Sequence, residues 1–348
     1  MTERYSRQEL FAPIGVQGQK KISQNHALLI GLGALGSSSA DMLVRAGIGK
    51  LTIMDRDYVD WSNLGRQQLY SEEDAANHLP KSAAAQKKLQ QINSEVDIDA
   101  YLLDVNAKEL DSWLSQNQVD VIMDGTDQFD IRLIINDAAL KHDIPWIYGS
   151  CVGSYGMSYT ILPGETPCLN CLLQSAPLQG PTCDTAGVIS PIVHLVTAHQ
   201  VTEALKLFIG DKEALRRELI TFDLWSGQHQ KVGVDRMKKK NCPSCGEVPE
   251  YPYLNQSTVH TNVLCGRDTV QIRPGENNQR DLDQLERVLK NKEGTMIRNE
   301  YLLVYQAEHR VVFFKDGRVL VHGTKDARYA ADYYYSILSS KHSVSAGT

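Results

Sequence analysis

An α/β fold is predicted: a Rossmann-like, mostly parallel sheet with helices on both faces, followed by a small C-terminal α+β domain. Three observations predict it. Residues 27–30 form a short apolar run that ends directly in Gly31-Leu32-Gly33-Ala34-Leu35-Gly36, and a helix of small residues follows over 37–46, closed by Gly47. That is G-x-G-x-x-G in the strand–turn–helix context that gives the motif its meaning. Apolar strand patterns then alternate with helical ones as far as residue 162, the arrangement of a parallel sheet covered on both sides. After the Pro-rich stretch 247–253, hairpin patterns take over.

Length and composition fit this organisation. The 348 residues suffice for one large domain and a smaller one, here 1–249 and 258–348 joined by a linker at 250–257. At 42% hydrophobic and 22% charged, with a net charge of −6, the chain reads as an ordinary globule and not as a non-specific nucleic-acid binder. The start, MTERYSRQEL, lacks the apolar core of a signal peptide. Residues 144–164 are uncharged but rich in Gly, Ser and Tyr, and 190–209 is apolar on one side only, so no membrane span is expected and a cytoplasmic location is. Seven cysteines, an odd number, argue against a disulfide framework.

Taken in order, residues 17–23 read as a helix leading into the first strand. A second apolar strand, 51–54, ends at Asp55, about twenty residues after the glycines, where an acid can hold ribose hydroxyls. The glycine turn and the helix N-terminus behind it suit phosphate oxygens. The loop that follows carries Asn63 and Arg66 in Trp61-Ser62-Asn63-Leu64-Gly65-Arg66-Gln67-Gln68, a pair that a dehydrogenase does not need and a triphosphate-handling enzyme does. Lys81 follows Pro80 at the start of the next helix. The helix dipole disfavours a cation there unless an anion lies between them.

Residues 97–101 read as a strand, 109–116 as a helix and 119–123 as a buried strand ending in Asp124-Gly125-Thr126-Asp127. Carboxylates at the carboxyl end of a parallel strand face the ligand crevice, and one of these two suits Mg²⁺ beside phosphate oxygens, while the other is expected to cap the helix over 129–142. Strands are expected at 144–149, 155–162 and 219–224, and a helix at 191–209. In that helix His194 and His199 are expected to pack.

Cys168-Leu169-Asn170-Cys171 and Cys242-Pro243-Ser244-Cys245 are two C-x-x-C knuckles, the pattern of a tetrahedral Zn²⁺ site with four thiolates and no open position, and therefore a structural one. Cys183 stands apart from them in a Gly/Pro-containing loop, as either a nucleophile or a small loop residue. Beyond the linker, strands at 269–272, 301–305, 310–314 and 319–322 and helices at 282–289 and 326–338 make an α+β unit without a catalytic constellation. It reads as a dock for a protein partner or a support for the first domain.

From Tyr5 to Gly246 the ordered series RYSRQ, GLGALG, DRD, SNLGRQ, LPKSAAA, DGTD, PCLNCL, TCDTAGV and CPSCG resembles the MoeB/ThiF family, bacterial relatives of the ubiquitin-activating enzymes. The resemblance implies an adenylyltransferase that uses ATP to activate the C-terminal glycine of a ubiquitin-like sulfur carrier ending in Gly-Gly. The carrier's carboxylate attacks the α-phosphate, pyrophosphate leaves, and the acyl-adenylate later receives sulfur, from a donor such as a cysteine desulfurase, for thiamine thiazole or molybdopterin synthesis. It implies a nucleotide loop of Gly31, Gly33, Ala34 and Gly36, a ribose site at Asp55 with Asp57 nearby, and Asn63, Arg66, Gln67 and Lys81 around the triphosphate. Mg²⁺ falls to Asp127, with Gln128 beside it. Arg7, by spacing alone a solvated surface charge, becomes an arginine that reaches the phosphates of a neighbouring subunit in a homodimer. Cys183 matches the cysteine that carries the acyl group in ThiF-like members and need not be catalytic in MoeB-like ones.

Gln128 stands where many members have Asn, and Gly65 where Gln is common. Three other readings compete, one of them a binding scaffold that kept the fold and lost catalysis, against which the presence of Arg7, Arg66, Lys81 and Asp127 counts. A dinucleotide-dependent oxidoreductase accounts for the glycines and Asp55 but not for SNLGRQ, Lys81 or the knuckles. A peptide-adenylating enzyme of the microcin type carries an additional N-terminal peptide-binding unit, whereas RYSRQ here begins at residue 4.

Overall fold

The computed structural model describes residues 3–175, 186–255, 261–263, 268–274 and 279–338. The chain divides into two compact units, Met1–Ala76 with Pro80–Gln256, and Asn77–Leu79 with Ser257–Thr348.

The first unit is built on an eight-stranded sheet. Its strands are β1 (His26–Ile30), β2 (Lys50–Asp55), β3 (Asp97–Leu102), β4 (Val121–Asp124), β5 (Trp146–Val152), β6 (Tyr155–Ile161), β7 (Leu219–Asp223) and β8 (Gln228–Val232), in the order β3-β2-β1-β4-β5-β6-β7-β8. The first five run parallel, and β6, β7 and β8 each pair antiparallel with the strand before. The α/β expectation with a mostly parallel sheet therefore holds. β1 is flanked by β2 on one side and β4 on the other, so the connections leave it in opposite directions. Such a reversal opens a crevice at the carboxyl ends of the two central strands, the usual ligand position in open α/β sheets.

The helices of this unit are α1 (Ser6–Glu9), α2 (Gly15–Ile22), α3 (Ala34–Ala46), α4 (Glu72–Ala76), α5 (Lys81–Ile92), α6 (Ala107–Gln116), α7 (Phe129–Lys141), α8 (Leu169–Ser175) and α9 (Ser190–Ile209). α3 packs against α5 and α9, α9 also packs against α2, and α6 packs against α7. Because β1, β2 and β4 are buried on both faces, they read as unbroken apolar runs and not as alternating ones. Leu28, Ile30, Ile122, Trp146 and Tyr148 meet Leu110, Leu114 and Ile135 in the main core.

The second unit is a six-stranded antiparallel sheet, β11-β12-β13-β14-β10-β9, of β9 (Thr261–Val263), β10 (Thr269–Ile272), β11 (Thr295–Arg298), β12 (Leu302–Gln306), β13 (Arg310–Phe314) and β14 (Val319–His322). The helices α10 (Leu282–Leu289) and α11 (Ala327–Leu338) bury Leu285, Leu289, Tyr334 and Ile337 against Val270, Leu303, Val311 and Phe313. Strands β8 and β11 are not legible in the sequence. Both lie at sheet edges and are largely exposed, so neither carries a buried face to mark it.

Candidate nucleotide site and four-cysteine cluster

The crevice begins where β1 ends. Gly31 turns at φ +88°, and its N–H donates to Met54 C=O at 2.8 Å. Helix α3 starts earlier than its apolar pattern suggests: Gly33 is its N-cap residue, Ala34 its first, and no side chain caps it. The first-turn N–H groups of Ala34, Leu35 and Gly36 therefore precede the helical ladder, as an anion site requires. The turn is packed backbone on backbone. A Cβ on Gly36 would come within 1.8 Å of Gly31 C=O, and one on Gly125, at the end of β4, within 2.3 Å of the same oxygen. Gly125 is thus a third wall of the turn. Its signal in the sequence is a glycine directly after a buried strand and before a second acid.

Asp55 ends β2 and is nearly buried. One carboxylate oxygen accepts the Leu32 N–H at 2.6 Å and the other accepts the Asp57 N–H at 2.6 Å. Burial raises its pKa, partly offset by the nearby Lys81 cation. Asp55 thus braces the glycine turn as well as facing the crevice. Tyr70, which the sequence reading missed, braces the same turn by donating its hydroxyl to Leu32 C=O at 2.8 Å.

Lys81 is the first residue of α5 and is only 2% exposed. Its N–H donates to Asp57 C=O at 2.9 Å, and its ammonium lies 3.4 Å from the Asp57 carboxylate. The expected anion between a lysine and a helix start is therefore present, as Asp57. Arg56 sits on the other side of Asp57 and pairs with Asp104 at 3.3 Å.

The loop after β2 is held by a short 3-10 turn, Trp61–Asn63, in which Asp60 and Asn63 form a reciprocal capping box. Asn63 accepts the Asp60 N–H at 2.9 Å and is buried. Arg66 is half-buried and its guanidinium donates once, to Ser62 C=O at 2.8 Å, with no other side-chain hydrogen bond among the described residues. Gln67 is 2% exposed, and its side-chain oxygen has no hydrogen-bond partner among the described residues. A buried acceptor in this state fits a donor supplied from outside the chain, such as a sugar hydroxyl or a metal-bound water.

The two acids after β4 part ways. Asp124 is buried and binds Arg132 at 3.0 Å, together with the Thr126 N–H and hydroxyl. Arg132 also donates to Thr126 C=O and Gly149 C=O, and lies 5.1 Å from the Tyr148 ring. Asp127 is exposed and makes no hydrogen bond among the described residues. The expectation that one of the two caps α7 does not hold: Gln128 is the N-cap residue, and no side chain caps the helix. Arg132 has taken Asp124 inward, which leaves Asp127 as the carboxylate open to a cation.

Arg7 lies on α1, exposed and without a hydrogen bond or ion pair among the described residues. Leu10, Phe11 and Val16, in the same N-terminal segment, are 72%, 59% and 49% exposed. His194 meets Ser38 at 3.3 Å, and His199 stacks on Phe222, so both pack as expected. Cys183 lies outside the described residues.

The two knuckles meet. The Sγ atoms of Cys168, Cys171, Cys242 and Cys245 all lie within 4.8 Å of one another. Hydrogen bonding with Cys171 and Cys245, and then burial, push the Cys168 thiol far up. Four thiols this close cannot all ionise unless a cation joins them, and four sulfurs at this spacing suit a tetrahedral metal. Around them, Asn170 donates to the Ser244 hydroxyl at 3.0 Å, and the Leu169 N–H donates to Asn136 at 2.8 Å.

A family model described as the ThiF family matches residues 5–244, a span that contains the crevice residues and three of the four clustered cysteines, Cys245 standing one residue beyond it. The chain belongs to the ThiF family. Over 96% of this chain and 99% of the relative, it is 48% identical to the sulfur carrier protein ThiS adenylyltransferase of Bacillus subtilis. The sulfur carrier protein ThiS adenylyltransferase of Escherichia coli is 36% identical over 70% of this chain and 94% of its own length. A sulfur carrier protein adenylyltransferase from Thermus thermophilus is 33% identical over 76% and 96%. The solved E. coli MccB with ATP covers 71% of this chain and 74% of its own at 22% identity and a TM-score of 0.61, a likeness of fold.

Proposed function

We propose that this ThiF-family protein is an adenylyltransferase that activates the C-terminal glycine of a ThiS-type sulfur carrier with ATP. The observation that carries the reading is the buried Lys81 ammonium, held beside the glycine turn at the start of a helix. A buried cation at a phosphate-binding turn suits a transferring nucleotidyl group and has no task in hydride transfer. The 48% identity across nearly the full length of the B. subtilis ThiS adenylyltransferase favours a ThiS-type carrier over a molybdopterin-type one.

In the reaction, an oxygen of the carrier's terminal carboxylate bonds to the α-phosphorus, and the bond to the bridging oxygen breaks. Pyrophosphate leaves with the electron pair. The N–H groups at the start of α3 receive phosphate oxygens, Asp55 receives the ribose hydroxyls with Asp57 beside it, and Asn63, Gln67 and Gln128 line the nucleotide. Lys81 and Arg66 stabilise the charge that develops on the phosphates, a contribution that grows in a site shielded from water. Asp127, with no competing hydrogen bond, suits Mg²⁺, which would neutralise phosphate charge. Cys168, Cys171, Cys242 and Cys245 suit a structural Zn²⁺.

Arg7, exposed in the same N-terminal segment as the exposed Leu10, Phe11 and Val16, supports a homodimer in which it completes the neighbouring subunit's site. Cys183 belongs to the sulfur-transfer step that follows, and a cysteine desulfurase suits the role of donor. No helix among the described residues is long and apolar enough to cross a membrane, which is compatible with work in the cytoplasm.

ATP–pyrophosphate exchange with purified carriers ending in Gly-Gly tests this reading. Exchange is expected with a ThiS-type carrier, to be lost in Arg66→Ala and Asp127→Ala and kept in Cys183→Ala. Absence of exchange with every such carrier, or NAD binding in place of ATP, overturns it.

A further inference from the structure

Helix α7 connects the two sites. It begins directly after the Asp124–Asp127 loop, and one row of its side chains, Arg132, Asn136 and Leu140, recurs every four residues and so shares a face. At the crevice end, Arg132 holds Asp124, Thr126 C=O and Gly149 C=O. One turn on, the buried Asn136 accepts the Leu169 N–H from the first knuckle. Another turn on, Leu140 packs against the cysteines. Arg132 and Leu140 are about 12 Å apart along the axis.

Asp137 adds a second attachment. It is fully buried, accepts the Tyr253 N–H at 2.9 Å and the Asn136 amide at 3.2 Å, and lies against the Ser244 side chain of the second knuckle, which favours its charged form. Ser244 in turn receives the Asn170 amide of the first knuckle. Both halves of the cluster are thus hooked onto adjacent residues of one helix. Four ligands alone do not need this arrangement, but groups outside a metal's ligands set their orientation and the metal's retention.

We infer that Asn136 and Asp137 are positioning residues that tie the four-cysteine cluster to the nucleotide loop through α7, so that nucleotide binding and metal retention are coupled. Any such coupling is reciprocal: if ATP binds more tightly when the metal is held, the metal is held more tightly when ATP is bound. The inference rests on the nucleotide and metal assignments proposed above.

The experiment follows zinc release from purified, zinc-loaded full-length protein into a chromogenic chelator, with and without ATP and Mg²⁺. ATP binding and zinc content are measured first. A chain that holds no zinc or binds no ATP refutes the assignments themselves. Where both bind, ATP is expected to slow zinc release by about threefold or more in the wild-type chain. Asp137→Asn keeps the volume but loses the second carboxylate oxygen, and is expected to release zinc about tenfold faster. Its release should also lose the dependence on ATP. General stabilisation by ATP would persist in Asp137→Asn, so protection surviving in that variant overturns the inference, as does a wild-type rate indifferent to ATP. The wild-type comparison needs no substitution and stands even if the variant folds poorly.

Discussion

The carbonyl oxygen of Gly31 occupies the place from which a side chain on Gly125 would grow, since a Cβ there would stand 2.3 Å away. The two residues directly follow neighbouring parallel strands, so the glycine turn is shaped by both. Gly125→Ala must push the turn open, because the obstructing atoms are backbone and cannot rotate aside. It is expected to lose ATP binding. Thermal unfolding with and without saturating ATP checks this: the wild-type midpoint rises by the usual ligand linkage and that of the variant does not. An undiminished rise would show that the turn tolerates the methyl group.

Lys81 is almost fully enclosed, so its substitution removes a fixed cation and not a mobile one. Lys81→Ala is expected to lower carrier-dependent pyrophosphate exchange by about 10²–10³-fold, the scale for losing one oriented stabilising group. Lys81→Arg is expected not to rescue it, because a planar guanidinium does not reproduce a compact ammonium enclosed at 2% exposure. Exchange above a tenth of the wild-type rate in Lys81→Ala would remove Lys81 from the proposed machinery.

If Arg7 serves the neighbouring subunit and Arg66 its own, the two substitutions complement. Arg7→Ala and Arg66→Ala homodimers should each be inactive. Mixed one to one and re-equilibrated, they should recover about a quarter of wild-type exchange, because half the dimers are mixed and each mixed dimer holds one intact site. No recovery at all, with subunit exchange shown by mass, would place both arginines in one subunit's site.

Asp74 supports the segment from which Lys81 projects. Burial raises its pKa, but hydrogen bonds from Lys88 and from the Ser71 N–H and hydroxyl outweigh this and hold it below its ordinary value of 3.8. A carboxyl depressed on folding stabilises the native state above its unfolded pKa, and that stability is lost as pH falls through the folded value. Asp74→Asn is therefore expected to be less stable than wild type by roughly 1.5–3 kcal/mol at pH 6, the scale of a hydrogen-bonded charge. The gap should close as the pH drops below 3.8. Urea unfolding at pH 6 and pH 3 measures it, and a gap that widens in acid reverses the assignment.

Cys242→Ser breaks the four-sulfur set. Zinc per chain, read by elemental analysis, is expected to fall from one to near zero, with the remaining three thiols becoming reactive to a thiol reagent. Retention of one zinc would move the metal elsewhere.

Much of the site was legible because it is local. The glycine turn, Asp55, the Asn63–Gln67 loop and Lys81 each sit at the end of a strand or the start of a helix, and those boundaries leave marks in the chain. The knuckles were legible because C-x-x-C spacing is set by metal geometry. Arg132, Asn136 and Asp137 were not, because a polar residue in a helix looks solvated until its partners, here Asp124, Leu169 and Ser244, arrive from distant segments. The helix-capping role expected of Asp124 or Asp127 failed for the same reason. A buried arginine eight residues away competes for Asp124 more strongly than an exposed helix start does.

By itself, the order of residues determined the α/β class, the position of the glycine turn and the four metal-type cysteines, since these follow from periodicity, glycine sterics and ligand spacing over short stretches. Only the tertiary structure decided which acid faces the crevice, that Gly125 walls the turn, and that α7 joins the two sites. Each of those depends on which strands lie side by side, and strand neighbours are chosen by burial across the whole sheet and not by any one segment.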